Sequence, residues 1–154
     1  MMNPEFLKQV QIFEGLSDAE LAEILMLGAV KEYAQDDLIF EDGAPGDCFY
    51  VIYAGAVRIS KMFDNMGEEA LTVLGAGDFL GEMSFFDNEP RSARAVAHEN
   101  AKLLELSNQS LKEHLERRPD VALKFLWGFA RTLSQRVRDT NKKFSSLFAI
   151  SRVF

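Results

Sequence analysis

One cysteine, two histidines and four prolines in 154 residues remove several readings at once. Cys48 has no second cysteine to pair with, so no internal disulfide is expected and a reducing cytoplasm fits. His98 and His114 stand apart from each other and from Cys48, which gives no metal-ligand spacing. Basic residues are also short, 17 against 24 acidic, for a formal charge of -7. A surface that tracks nucleic-acid phosphates is therefore not expected, and any anionic ligand must be met by a local positive site. No stretch reaches 18 apolar residues, and the opening Met-Met-Asn-Pro-Glu-Phe lacks a basic segment ahead of an apolar one. Neither a membrane span nor an export signal is expected. Low-complexity tracts, strong repeats and dividing linkers are absent as well.

What is present is a hydrophobic content of 47%, ample for the core of one domain covering residues 1–154. Residues 5–29 carry helical periodicity broken near Gly15, and Ser17 with Glu20 forms a capping box ahead of Leu21, Ile24 and Leu25. The segment 1–30 is thus read as N-terminal helices. From 31 to 107 the texture turns to short β-rich runs separated by glycine or Asp-Gly turns, at Cys48–Tyr53, Val57–Lys61, Leu71–Leu74 and Lys102–Leu106. Strands at intervals of about ten residues suggest a sandwich or barrel. Helical pattern returns over 108–154, with Ser107 as N-cap of a helix over 108–118 and Pro119 in the first turn of a longer one. Arg117 and Arg118 then fall at a helix end, where cations suit the macrodipole.

The chemistry gathers in Gly77-Asp78-Phe79-Leu80-Gly81-Glu82-Met83-Ser84-Phe85-Phe86-Asp87-Asn88-Glu89-Pro90-Arg91-Ser92-Ala93. Gly81 permits close ligand approach, and a short helix after it would present free N–H groups that favour an anion. Arg91 brings a planar fork of donors matched to two phosphate oxygens. Glu82, acceptor-only when ionised, suits a sugar hydroxyl. These residues read either as a site for a phosphate beside a ribose or as a structural Glu82–Arg91 pair.

Gly81-Glu82, an apolar stretch and Arg91-Ser92-Ala93 closely resemble the phosphate-binding cassette of the cyclic-nucleotide-binding domain family. Gly43-Ala44-Pro45-Gly46-Asp47-Cys48-Phe49-Tyr50-Val51-Ile52 and Gly55-Ala56-Val57 look like that family's β-roll turn and strands, and Pro119-Asp120 like the start of its last helix. The resemblance implies an α+β, mainly β fold: an antiparallel, jelly-roll-like β-roll of the double-stranded β-helix kind, flanked by N-terminal helices and a long C-terminal helix, with the cassette at 81–93. It implies that Arg91 meets the cyclic phosphate, that Glu82 bonds the ribose 2′-hydroxyl, and that Gly81, Met83, Ser84, Ser92 and Ala93 complete the site. Val51, Leu74 and Met83 are apolar candidates for the floor under the base, and equally for ordinary core. In similar proteins the final helix reaches the base, for which Arg136, Val137 and Thr140 are the candidates; a solvated helix face explains the arginines as well. Arg136 would stack on the purine through its guanidinium plane. Ser92 accompanies guanine in some members and adenine in others; cAMP is the expected ligand and cGMP the alternative, with no cofactor, catalytic residue or metal.

From Leu126, the residues Ala130, Leu133, Val137, Thr140, Phe144 and Leu147 recur at alternating spacings of four and three. That spacing fits a heptad seam between two copies and also one stripe packed on the chain's own β-roll. The resemblance to catabolite-activator-like regulators favours a homodimer over 126–147, although those proteins continue into a helix-turn-helix that is not expected after Phe144. Phe148, Ile150, Val153 and Phe154 form an apolar ending that would cover the pocket or a partner, and ligand binding would shift it between two positions. The expected protein is a non-catalytic cytoplasmic sensor acting on an effector protein. The rivals are a β-roll scaffold without nucleotide and an enzyme, the latter opposed by the want of a nucleophile motif or P-loop.

Overall fold

The computed structural model describes residues 3–153. Ser17 caps helix α2 (Asp18–Met26) in both senses of the capping box: its hydroxyl accepts from the Glu20 N–H, and the Glu20 carboxylate accepts from the Ser17 N–H at 2.8 Å. Ahead of it lie α1 (Pro4–Leu7) and a 3-10 turn at Gln11–Phe13, with Gly15 at φ +90° breaking the helical run. Eight antiparallel strands follow among the described residues: β1 (Gly28–Tyr33), β2 (Leu38–Phe40), β3 (Cys48–Ala54), β4 (Ala56–Phe63), β5 (Gly67–Gly75), β6 (Phe79–Leu80), β7 (Arg94–Ala97) and β8 (Ala101–Ser107). They form two four-stranded sheets, ordered β1-β8-β3-β6 and β2-β7-β4-β5. Helix α3 (Glu82–Asp87) interrupts the strands, and α4 (Asn108–Arg117) and α5 (Pro119–Ser151) close the fold. This is the expected mainly β roll flanked by helices.

Period-two alternation divides the interior into two cores. On β3, Phe49 and Val51 join the cluster beneath the helices, with Ile12, Phe13, Leu111 and Phe125, while Tyr50 and Ile52 join Leu80, Ala95 and Leu103 between the sheets. Strand β8 splits in the same way, Leu104 and Leu106 toward the helices and Leu103 between the sheets. A sheet covered on both faces reads as a nearly continuous apolar run, which is why these two strands stand out in the sequence. Strand β1 begins at Gly28, inside the segment read as helical. It is held by pairing with β8, Gly28 opposite Leu106, where a Cβ at Gly28 would lie 2.7 Å from the Glu105 carbonyl oxygen.

Ser107 caps α4 by accepting from the Ser110 N–H, and Pro119 opens α5. Between them Arg118 lies outside the helical region at φ -125° and ψ 74°, and its guanidinium binds Glu23 and Asp120. Helix α5 lies against the 3-10 turn at Gly128, where a Cβ would collide with the Ile12 carbonyl, and buries Val121, Phe125 and Thr132. The apolar stripe occupies a different side. Leu126, Leu133, Val137, Phe144 and Leu147 are 46% to 64% exposed, so the stripe does not pack on the chain's own β-roll. Phe148, Ile150 and Val153 are exposed too; Phe154 lies outside the described residues.

Candidate functional site

A cavity of about 670 Å³ opens between the β-roll and α5. Its base is the turn from β6 into α3. Gly81 adopts φ +83°, and a Cβ there would sit 2.6 Å from Arg91 Nη1 and 2.8 Å from the Cys48 carbonyl oxygen, so glycine is required by backbone and space alike. No side chain caps α3 at Gly81, which leaves its first N–H groups without that partner.

Arg91 is 4% exposed. Its Nη2 donates to the Cys48 carbonyl at 2.7 Å and its Nη1 to the Gly81 carbonyl at 3.3 Å, while Nε is buried without a partner. The guanidinium lies over the Phe40 ring, 4.3 Å from its centroid, with Tyr50 at 5.8 Å. Two carbonyls and two rings orient the charge without neutralising it. A buried cation in that state favours an anion beside it. Burial also pushes the Cys48 thiol up to about 11, with Glu105 and Asp47 adding to the effect.

Glu82, the first residue of α3, does not pair with Arg91. Its Oε1 accepts from Nη1 of Arg136 at 2.5 Å, and Arg136 Nη2 donates to the Phe79 carbonyl at 2.8 Å. The Arg136 guanidinium also lies over the Phe79 ring, 4.4 Å from its centroid. That arrangement leaves Glu82 Oε2 open for a hydroxyl donor.

Gly81, Glu82, Met83, Ser84, Arg91, Ser92 and Ala93 all line this cavity, as do Leu74, Arg136 and Thr140. Ser84 is buried under Gly46, and the Ser92 hydroxyl points at the Met83 sulfur at 3.5 Å. Val51 does not belong to the cavity: the pleat of β3 turns it into the core under the helices. Val137 falls on the exposed stripe. The wall also includes Phe40, Ile59, Leu71, Asp139 and Lys143, which the sequence reading did not select. For the last two a signal was available, since Arg136, Asp139, Thr140 and Lys143 stand at i, i+3, i+4 and i+7 on one helix face.

The family model described as the cyclic nucleotide-binding domain matches residues 30–118. The chain is 28% identical over 93% of its length to a CRP-like cAMP-activated global transcriptional regulator of Mycobacterium tuberculosis, of which the match spans 62%. It is 36% identical over 60% of its length to a cGMP-dependent protein kinase, isozyme 2, of Drosophila melanogaster, with 10% of that protein matched. The chain thus spans less than two thirds of the length of these curated relatives. A crystal structure of a cyclic nucleotide-binding domain from Methylobacillus flagellatus superposes with a TM-score of 0.81 at 28% identity, covering 92% of this chain and 79% of that one. The chain belongs to the cyclic nucleotide-binding domain family.

Proposed function

We propose that the chain is a non-catalytic, cytoplasmic sensor that takes a cyclic nucleotide, cAMP or cGMP, into the cavity between β-roll and α5. The observation that carries this reading is Arg91, a buried guanidinium held by two carbonyls with Nε unpartnered. The cyclic phosphate completes that site, and Glu82 Oε2 accepts the ribose 2′-hydroxyl. A volume of about 670 Å³ suits a ligand of that size. Relatives named for cAMP and for cGMP both support the class of ligand without choosing its base.

Signalling runs through α5. Arg136 ties that helix to Glu82, so occupancy of the cavity and the position of α5 are coupled. The exposed stripe from Leu126 to Leu147 supports pairing with a second copy, and an effector protein then reads the helix.

The test is calorimetric titration of cAMP and cGMP into the wild type and Arg91→Ala. Two charge-assisted hydrogen bonds at about 1.5 to 3 kcal/mol each predict a loss of at least about a hundredfold in the variant. Folded, ligand-free wild type that binds neither nucleotide would replace the sensor with an interaction scaffold.

A further inference from the structure

A second concavity lies where α4 meets the start of α5, and it shares no lining residue with the cavity beside Arg91. Its volume is about 490 Å³, with an apolar lining of Leu115 from α4 and Pro119, Ala122, Leu123 and Leu126 from α5. Lys112 and Glu116 add one charge of each sign, so the groove suits a neutral, apolar occupant. The next residue along α5, Trp127, is the single tryptophan of the chain and is 60% exposed. The alternating spacing of the exposed α5 stripe also extends back from Leu126 to Leu123, so stripe and groove are continuous.

We propose that this groove receives Trp127 of a second copy of the chain, in a parallel pair of α5 helices. The inference rests on the α5 pairing in the function proposed above and names what holds its N-terminal end. In a parallel two-stranded seam with Leu123 at position a and Leu126 at d, Ala122 falls at g and Trp127 at e. A g residue faces the partner's e residue five positions later, which sets Ala122 opposite the partner's Trp127. The smallest side chain of the groove thus meets the bulkiest residue of α5. The later g-to-e pairs are Phe129 with Ser134, Arg136 with Asn141 and Lys143 with Phe148, and none opposes like charges. Two-fold symmetry makes each copy give one indole and receive one, so the pair joins α4 of each copy to α5 of the other through two aromatic anchors. An antiparallel pair would instead bring the far end of the partner's helix, with Phe148, to the groove.

As the single tryptophan, Trp127 reports its own burial. Light scattering on a dilution series, run with tryptophan emission and acrylamide quenching, compares wild type with Trp127→Ala, Ala122→Gln and Phe148→Ala. The expected result is a wild-type dimer whose formation moves the emission to the blue and protects the indole from acrylamide. Trp127→Ala, at an exposed position, and Ala122→Gln, which fills the groove floor with a good helix former, should each raise the dimer dissociation constant at least about tenfold. Circular dichroism should show the fold unchanged in both, and Phe148→Ala should shift the constant by less than about threefold. A dimer in which Trp127 stays open to acrylamide, an Ala122→Gln dimer of wild-type affinity, or a dimer weakened more by Phe148→Ala than by Trp127→Ala overturns the inference while leaving α5 pairing intact. Wild type that stays monomeric overturns both.

Discussion

Arg136 of α5 and Glu82 of α3 are joined across the cavity, Nη1 to Oε1, with the Arg136 guanidinium also on the Phe79 carbonyl and ring. One pair therefore links the residue proposed to hold a ribose to the helix proposed to signal. A ligand that draws on Glu82 alters the environment of Arg136, and a shift of α5 alters Glu82.

Replacing Arg136 with Met removes that link and keeps the aliphatic stem. Limited proteolysis of the α5 segment beyond Thr140, with and without saturating cyclic nucleotide, is expected to show ligand-dependent cleavage in the wild type and the same cleavage in both states for Arg136→Met. Persistent ligand dependence in the variant would assign the coupling to another contact.

Gly81 and Gly43 both have positive φ, +83° and +80°, but only Gly81 is crowded; a Cβ at Gly43 meets nothing within 4 Å. Gly43→Ala is expected to cost about 1 kcal/mol of stability, from the left-handed backbone alone, and to leave nucleotide affinity unchanged. Gly81→Ala adds a clash with Arg91 and should lower affinity by more than tenfold, on the order of 1.4 kcal/mol or more. Thermal melts paired with calorimetry separate the two effects.

The exposed stripe predicts self-association. Leu133→Glu with Val137→Glu places carboxylates at the centre of the seam, at positions 46% and 51% exposed in one copy. Light scattering is expected to report a dimer for the wild type and a monomer for the double variant, with the β-roll still folded by circular dichroism. A wild-type monomer at high micromolar concentration would remove the seam from the mechanism.

Glu20 supplies a pH signature. The Ser17 N–H and then the Lys124 ammonium hold its carboxyl below the ordinary value of 4.5. A lowered folded-state value contributes stability above pH 4.5, and that contribution is lost as pH falls through the folded value. Glu20→Gln keeps an acceptor for the cap and loses the charge. Denaturant unfolding should show a deficit of about 0.5 to 1 kcal/mol at pH 7, the scale of a partly exposed ion pair, shrinking toward zero in acid. A deficit that does not change with pH would place the effect in packing.

Strands β3 and β8 were legible because both of their faces are buried, which leaves unbroken apolar runs in the sequence. Strands β2, β6 and β7 were not, since runs of three, two and four residues carry too little periodicity to stand out. Strand β1, Gly-Ala-Val-Lys-Glu-Tyr, has little pattern of its own and is fixed by its partner β8. The apolar character of Val51 suits a cavity floor and a core position equally; the parity of β3 decides the face, and parity depends on register.

Local chemistry in the sequence determined the caps at Ser17 and Ser107, the start of α5 at Pro119 and the cluster of Gly81, Glu82 and Arg91, because each depends on neighbours a few residues away. The partners of those charges were decided by tertiary structure alone. Arg136 lies 54 residues from Glu82, and the Cys48 carbonyl lies 43 from Arg91. Only the closing of the β-roll and the packing of α5 at Gly128 bring them within hydrogen-bonding distance, and with them Asp139 and Lys143 to the cavity wall.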